Sequence, residues 1–242
     1  MDYLCGFAQG RPLAVKLKMW GKKMKEWYRK YGKRILDIVV STVALIVLLP
    51  LALIIAAVIR IEMGSPVIFR QVRLGLHGKP FVIYKFRTME VGAEQQGLLI
   101  TSADDLRVTR VGKLLRKLKL DEIPQFINVL KGEMSLVGPR PEVPRYVALY
   151  SDEQKRKILS IKPGMTDPAT VYFRNEEQLL AQVDDKENFY INDIMPVKLT
   201  LYLQYTEKMS MLYDIKLIFL QVLVLILPPA VFCRIFSKNI KA

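Results

Sequence analysis

The feature that most limits how this chain can fold is an uncharged apolar run, Ile38–Ile59. As a helix, this run is long enough to cross a hydrocarbon core about 30 Å thick. Pro50 lies in its middle, where the proline ring removes a helix hydrogen bond and clashes with the preceding turn. Lys33 and Arg34 precede the run and Arg60 follows it, and the positive-inside tendency keeps both flanks on the cytoplasmic side. These facts predict a helix that enters the membrane, breaks at Pro50 and returns; a kinked spanning helix is the alternative.

Positive charge is concentrated ahead of this run. The chain has 37 Lys and Arg against 23 Asp and Glu, a net charge of +14, and residues 1–34 are strongly basic. This balance suits nucleic acid, an anionic membrane surface or phosphorylated ligands, and it does not specify a fold. Beside an apolar run it is typical of the cytoplasmic leaflet, and the lead-in is too long for a signal peptide. Asp37 is either an ordinary N-terminal helix charge or a partner that anchors the helix to the soluble part.

Cysteine and histidine usage excludes several kinds of site. Cys5 and Cys233 lie near opposite ends of the chain, and neither has a second Cys or a His at metal-ligand spacing, so a reducing compartment is favoured. The only histidine, His77, lies between glycines in a predicted turn. We therefore expect neither a zinc site nor a hydrolase that uses histidine as its general base.

The residues after Arg60 predict a small α/β body. Short β-favouring runs at Val67–Phe69 and Phe81–Tyr84 flank the turn at His77, and the basic–aromatic cluster Lys85–Met89 follows. Residues 90–104 are polar and predict a loop. The later predictions are helices over Asp105–Lys119, from a capping box at Ser151 through Ile161, from Asn175, and over Ile194–Met209, with Leu217–Cys233 lying at the membrane interface.

Two adjacent carboxylates, Asp121 and Glu122, lie in a basic stretch of the sequence. An acid pair in a cationic patch indicates chemistry on a phosphorylated substrate, with one acid free to act as nucleophile or metal ligand. We predict a helix that begins with Asp121 as N-cap and ends at Gly132. Its N-terminus would keep Asp121 ionised and favour phosphate binding. The alternative is that Asp121 only caps the helix and Glu122 is only a first-turn acid.

A rigid arginine turn, Gly138-Pro139-Arg140-Pro141, follows the acid pair. The prolines restrict the backbone on both sides of Arg140, and a planar guanidinium matches phosphate oxygens well. This favours phosphate binding over a plain loop with a solvated arginine.

In their order and spacing, these landmarks resemble the small monotopic phosphoglycosyl transferases, the bacterial sugar transferase family. The resemblance runs from about Lys33 to Leu225. Its carriers are Lys33-Arg34 with Asp37, Pro50, Lys85–Met89, Arg116 with Leu120–Gln125, Asn128–Ser135, Gly138–Pro141, Lys162-Pro163-Gly164 and Asp214. Three features depart from the common pattern: Lys119, Leu49 and the run Met165–Ala169. The last departure marks a subgroup of the family, so the usual assumptions about sugar specificity do not carry over.

The resemblance implies transfer of a sugar 1-phosphate from a UDP-sugar to polyprenyl phosphate, with release of UMP, at the cytoplasmic face of the bacterial inner membrane. Asp121 would be the nucleophile and form a covalent phosphosugar adduct, while Glu122 would help to hold Mg²⁺. The residues implied to neutralise phosphate charge are Arg116, Arg140, Arg87 and Lys85. Asp214 is a further candidate, and Pro50 and Asp37 are implied to be structural.

The predicted fold class is an α/β, membrane-associated monotopic chain in four parts. These are a basic N-terminal segment (1–34), a Pro-broken re-entrant membrane helix (35–61), a small, mainly helical cytoplasmic catalytic domain with short strands and interfacial amphipathic helices (62–214), and an apolar interfacial C-terminal segment (215–242). Expected partners are a UDP-sugar, polyprenyl phosphate and membrane lipids, with no nucleic acid; the oligomeric state is open. The alternatives are a non-catalytic basic membrane adaptor that binds anionic lipid or nucleic acid, and a metal-independent phosphodiesterase-like hydrolase.

Overall fold

The computed structural model describes residues 13–93 and 99–227. The chain begins with helix α1 (Leu13–Trp27), a π-helical turn (Tyr28–Gly32) and helix α2 (Lys33–Met63). In the described part, one stretch, Met19–Met63, is long and apolar enough by length and composition to cross a membrane. The mostly helical architecture with small sheets is compatible with a monotopic membrane protein.

The predicted interruption of the helix at Pro50 is not found. Pro50 lies inside α2, and the helix continues through it to Met63. Because proline has no N–H, the carbonyl of Ile46 loses its helical donor, while the backbone on either side stays helical. The re-entrant course of this helix stays a prediction, as do the domain boundaries.

Two small sheets follow. Strands β1 (Ile68–Leu74) and β2 (Pro80–Phe86) form an antiparallel pair with Phe69 opposite Lys85, which confirms the two predicted strands around the turn and lengthens both. Strands β3 (Ser135–Val137) and β4 (Gly164–Thr166) form a parallel pair that the sequence did not predict. A Cβ on Gly164 would lie 2.1 Å from the backbone nitrogen of Gly138, so this pairing depends on a close backbone approach.

The remaining α-helices of the described chain are short, except for the last two. They are α3 (Arg110–Lys117), α4 (Gln125–Lys131), α5 (Pro144–Val147), α6 (Asp152–Ile158), α7 (Pro168–Tyr172), α8 (Glu176–Leu180), α9 (Lys186–Phe189), α10 (Met195–Lys208) and α11 (Met211–Ile226).

Several predicted helix ends need correction. The helix predicted from Asp105 begins only at Arg110, after Thr109, whose side chain accepts from the backbone N–H of Gly112. The residues before Arg110 are not helical, and Val108 among them forms an antiparallel β-bridge with Met89. The capping box at Ser151 is confirmed, but its helix ends at Ile158, not Ile161. Asn175 precedes α8 without a side-chain cap bond.

Hydrophobic clusters join these elements into one body. Ile55 and Ile59 of α2 are buried with Phe86, Leu115 and Ile123, and Ile123 directly follows the acid pair in the sequence. A second cluster joins β2, α4 and β3 to α10 and α11, and a third joins α5 and α6 to α10. The ends of β2, α3 and α4 are therefore fixed against one another, which positions the site described below.

Helix α11 has one face in this body and one outside it. Leu217, Leu220 and Val224 are buried, whereas Phe219 and Ile226 are exposed. An exposed apolar face agrees with the predicted interfacial position of the C-terminal segment. Residues 228–242, including Pro228, Pro229 and Cys233, lie outside the described residues, as does Cys5.

Candidate active site

Asp121 and Glu122 lie in a short 3₁₀ turn, Leu120–Glu122, between α3 and α4. Both residues are buried. Lys119, just before the turn, has a left-handed backbone with φ of 56°, which reverses the chain at the end of α3. The α-helix begins only at Gln125, with Pro124 at the N-cap position, so the prediction that Asp121 is the N-cap was wrong. The 3₁₀ turn leaves the Asp121 side chain without a capping bond to the α4 backbone.

Glu122 is held by two cations. Its Oε1 accepts hydrogen bonds from Lys85 Nζ at 2.9 Å and from an Arg140 guanidinium nitrogen at 2.5 Å. Burial alone would raise the pKa of Glu122, but Arg140 and Lys85 outweigh it and hold this pKa well below the usual range. The carboxylate is therefore ionised, and it fixes the two cations beside Asp121.

Asp121 has a different environment. Its Oδ1 is buried and has no hydrogen-bond partner in the part of the chain that the structure describes. Burial raises the pKa of Asp121, and the charge of Lys85 opposes this rise. An unpaired carboxylate oxygen in a partly desolvated site is costly unless a ligand engages it. Asp121 is thus the member of the pair left available for chemistry.

Asp121 lines a cavity of about 900 Å³. The cavity lies between the β1–β2 hairpin, residues 87–93, the segment from Leu99 to Arg107, and Arg116. Its lining is strongly basic, with six cationic side chains, Arg70, Arg73, Lys85, Arg87, Arg107 and Arg116, against the acids Glu90 and Asp121. A cleft with one dominant sign of charge concentrates anionic ligands, and this volume suits a molecule of nucleotide-sugar size.

The predicted phosphate-binding residues occupy different places around this cavity. Lys85 lines it and also contacts Glu122. Arg116 lies in its wall, donating to Thr101 Oγ1 at 3.2 Å and lying 3.5 Å from a Glu177 carboxylate oxygen. Arg140 contacts Glu122 and is outside the cavity lining.

Arg87 has a role that the sequence did not predict. It lines the cavity, but one of its guanidinium nitrogens donates to the carbonyls of Met63, at 2.5 Å, and of Gly64, at 3.0 Å. This cation therefore satisfies carbonyls at the C-terminal end of α2. The end of the apolar helix is tied directly to the wall of the candidate site.

Asp37, Pro50 and Asp214 lie outside the cavity lining. Asp37 is buried and accepts from Ser135 Oγ and from the backbone N–H of Leu136, both at 2.9 Å, which confirms that it anchors α2 to the body. Asp214 is fully buried at the start of α11. It accepts from Lys33 at 2.6 Å, and its other partners are the hydroxyls of two tyrosines.

Asn128 is a positioning residue that only the resemblance indicated. It is fully buried, accepts from the backbone N–H of Tyr84 at 3.1 Å, and donates to Val82 O and to Glu133 Oε2, each at 2.7 Å. It thereby fixes α4, which follows the acid pair, against β2, which carries Lys85. Nothing in the local pattern distinguished this asparagine from a surface-facing helix residue.

The residues around Asp121 fit a magnesium ion. Among the described residues, no group of three or more His, Cys, Asp or Glu side chains could hold a metal ion by itself. Mg²⁺, however, is commonly bound by one or two carboxylates, with waters and substrate phosphates as the other ligands. Asp121 and Glu122 supply two carboxylates, and the buried Asp121 Oδ1 is a hard oxygen donor without a hydrogen-bond partner among the described residues.

Comparison with known proteins decides the family. Residues 28–228 match the model of the family described as bacterial sugar transferase. The chain belongs to the bacterial sugar transferase family. This match covers most of the chain and confirms the resemblance inferred from the order of the motifs.

Individual members of the bacterial sugar transferase family show how much of a relative the chain covers. It is 47% identical to the uncharacterized sugar transferase EpsL of Bacillus subtilis (strain 168) over 143 residues, 59% of this chain and 69% of EpsL. It is 38% identical to a UDP-glucose:undecaprenyl-phosphate glucose-1-phosphate transferase of Klebsiella pneumoniae over 198 residues, 78% of this chain and 39% of that protein. It is 45% identical to a UDP-N-acetylgalactosamine-undecaprenyl-phosphate N-acetylgalactosaminephosphotransferase of Aeromonas hydrophila over 143 residues, 57% of this chain and 33% of that protein. The chain thus spans less than half the length of the last two relatives.

Proposed function

We propose that this protein transfers a sugar 1-phosphate from a UDP-sugar to a polyprenyl phosphate, such as undecaprenyl phosphate. The observation that carries the proposal is the Asp121 carboxylate in the wall of a large cavity lined by six basic side chains, with an Oδ1 that has no hydrogen-bond partner among the described residues. Phosphoryl transfer needs a positioned nucleophile and fixed cations more than it needs acid–base groups. Membership of the family and the printed activities of the relatives agree with this chemistry.

The reaction proceeds in two displacements at phosphorus. A carboxylate oxygen of Asp121 attacks the β-phosphorus of the UDP-sugar, and the bond to the bridging oxygen breaks, so that UMP leaves with the electron pair. The sugar phosphate then remains on Asp121 as an acyl phosphate. An oxygen of the polyprenyl phosphate attacks the same phosphorus, which releases the Asp121 carboxylate and gives a polyprenyl diphosphate sugar.

The basic side chains supply most of the electrostatic stabilisation. Lys85 lies within hydrogen-bond distance of Glu122 and beside the nucleophile, and Arg116 occupies the cavity wall at the end of α3. Their charges favour the diphosphate in the ground state and the spread negative charge of the transition state. Glu122, ionised and paired with Arg140, keeps Lys85 in place.

Asp121 and Glu122 would hold the magnesium ion of such an enzyme. A bound Mg²⁺ would neutralise diphosphate charge and orient the phosphates. The described part of the chain contributes an ionised Glu122 and leaves one Asp121 oxygen without a hydrogen-bond partner.

The membrane course of α2 is part of the same proposal: a re-entrant helix with both flanks at the cytoplasmic face. Near its start α2 contacts β3 through Asp37, and near its end Ile55 and Ile59 are buried with Phe86, Leu115 and Ile123. Contacts of both ends with one small body, with Pro50 between them, support a helix that returns to its own side. This placement would bring the cavity near the depth of a lipid phosphate.

The test is release of UMP from a panel of UDP-sugars with magnesium and undecaprenyl phosphate. The relatives act on glucose and N-acetylgalactosamine derivatives, so both belong in the panel. Asp121→Asn keeps the side-chain shape but removes the nucleophile, and we expect it to abolish UMP release and the sugar-phosphate adduct seen by mass spectrometry of the intact protein. Lys117→Gln, at an exposed position on α3, is the matched control and should retain both.

The alternatives give different outcomes in the same assay. UMP release without lipid phosphate and without a lipid-linked product would indicate the hydrolase. Binding to anionic lipid with no UMP release from any donor would indicate the adaptor. Turnover of Asp121→Asn at the wild-type rate would contradict the role of Asp121.

A further inference from the structure

The segment before α2 carries an exposed stripe that no described element covers. Trp20, Met24, Trp27 and Tyr31 recur at spacings of four, three and four residues, and so share one side of the helix. All four are exposed, Trp20 by 71% and Trp27 by 50%. We call these four residues the N-terminal stripe. Large aromatic side chains left in water in a contiguous row mark an interaction surface.

The rotation of this helix about its axis is fixed by contacts on another side. Lys25 donates to the carbonyl of Glu207 at 2.7 Å, and Arg29 donates to the carbonyls of Thr206 and Glu207 at 2.9 and 3.0 Å. These cations lie at the C-terminal end of α10, where the helix dipole favours them. Tyr28 is buried and donates to Asp214 at 2.6 Å. The N-terminal stripe is therefore held outward at little further cost in conformational entropy.

The stripe is bordered by positive charge. Lys23 and Lys30 are exposed, lie seven residues apart, and neighbour Met24 and Tyr31 in sequence. The Lys30 ammonium lies 5.1 Å from the centre of the Tyr31 ring. Tryptophan and tyrosine prefer the boundary between headgroups and acyl chains, and lysines beside them match anionic headgroups. Exposed apolar residues continue from Tyr31 into α2 at Ile35 and Ile38, so the stripe is continuous with the apolar helix.

We propose that the N-terminal stripe, with Lys23 and Lys30, is a docking surface for anionic phospholipid headgroups. The aromatic rings lie at the headgroup boundary, and the two lysines contact lipid phosphates. Through Lys25, Arg29 and Tyr28 the docked helix holds α10 and α11 at a fixed height above the bilayer. This proposal concerns a surface outside the candidate active site and does not depend on the transferase activity.

The chain offers a direct probe, because Trp20 and Trp27 are its only two tryptophans. The full-length protein is reconstituted into phosphatidylcholine vesicles with and without phosphatidylglycerol, and with lipids brominated near the carbonyl end of the acyl chain. We expect bromolipid to quench tryptophan emission, and phosphatidylglycerol to increase the quenching and shift the emission to shorter wavelength. Lys23→Gln with Lys30→Gln should lose the phosphatidylglycerol-dependent part. Lys79→Gln with Arg156→Gln removes two exposed charges elsewhere and should keep it.

Three results would overturn the proposal. The first is quenching that does not respond to phosphatidylglycerol in the wild type. The second is an equal loss in both double variants, which would reflect net charge alone. The third is emission that acrylamide and bromolipid both fail to quench and that depends on the protein-to-lipid ratio, because a second copy of the chain would then cover the stripe. Circular dichroism of each variant checks that the helices are retained.

Discussion

At the scale of single residues, two neighbouring carboxylates have opposite environments. The turn at Leu120–Glu122 directs Glu122 to Lys85 and Arg140, and leaves Asp121 Oδ1 without a partner among the described side chains. The resemblance implied that the two acids differ in role, and the sequence placed Asp121 at a helix N-terminus. The difference comes instead from the cations brought to Glu122 by β2 and by the Gly138–Pro141 turn, which local periodicity does not reveal.

Replacing Glu122 tests this arrangement. In Glu122→Gln the charges of Lys85 and Arg140 lose their counterion in a partly buried site, and we expect a loss of stability of about 2–4 kcal/mol. We also expect a strong fall in UMP release, because Lys85 is then no longer held beside Asp121. Glu122→Asp keeps the charge and should lie between the wild type and Glu122→Gln in thermal unfolding. A Gln variant as stable and active as the wild type would show that the pair is incidental.

At the scale of elements, the sequence predicted helices and strands wherever a local pattern was present. The two strands of the β1–β2 hairpin, the Ser151 capping box and α10 were predicted from β-favouring runs, cap residues and amphipathic spacing. The parallel pair β3–β4 was not, because two three-residue strands meet through glycine backbones that are distant in sequence. Asp214 shows the same limit, since its partners come from the π-helical turn before α2, from the start of α2 and from α10.

The contacts of Asp214 predict a large effect of neutralising it. Its Oδ2 accepts from Lys33 and Tyr28, each at 2.6 Å, and its Oδ1 accepts from Tyr205 at 2.8 Å. Asp214→Asn leaves Lys33 without a counterion, so we expect a loss of about 3–5 kcal/mol and a melting temperature lower by about 10 °C. Lys33→Met combined with Asp214→Asn removes the stranded charge and should be less destabilised than Asp214→Asn alone. Thermal unfolding in detergent measures both, and additive losses would contradict the coupling.

The segment before α3 predicts a pH dependence. The side-chain hydrogen bond from Arg107 lowers the pKa of Asp105 despite its burial, and Arg107 also donates to the carbonyl of Ala93 across the cavity wall. Because the pKa of Asp105 is lower in the folded than in the unfolded state, its ionised carboxylate stabilises the fold at pH values above the unfolded-state pKa. This stabilisation is lost as the pH falls through the folded-state pKa. Asp105→Asn should therefore be less stable than the wild type at about pH 6, and the difference should shrink as the pH falls below about 4, the unfolded-state pKa of an aspartate. Asp193→Asn, at an exposed position, is the control for thermal unfolding across this range; a pH-independent deficit in Asp105→Asn would contradict the assignment.

At the scale of the whole molecule, the long apolar helix determines how the body meets the membrane. The composition and the flanking charges predicted a membrane element, and the structure has one helix, α2, across the entire apolar run. The sequence did not predict that both ends of α2 contact the same body. Asp37 accepts a hydrogen bond from the backbone of β3. Arg87, which directly follows β2, donates to the carbonyls of Met63 and Gly64 at the C-terminal end of α2. These contacts join residues between 23 and 99 positions apart, and no local pattern encodes them.

The course of α2 through the bilayer gives the last prediction. Glu26 and Glu62 are exposed acids that flank the apolar run, one ahead of α2 and one at its end. With Cys5 and Cys233 replaced by serine, the chain has no other cysteine, so Glu26→Cys and Glu62→Cys each introduce a single label site. A re-entrant helix places both sites on the cytoplasmic face, because Lys33, Arg34 and Arg60 keep both flanks there. A membrane-impermeant maleimide should then label both variants in inverted vesicles and neither in intact cells. Labelling of one site in each preparation would show a spanning helix, and it would place the residues before α2 and those after it on opposite sides. That result would also conflict with the contacts that both ends of α2 make with one body.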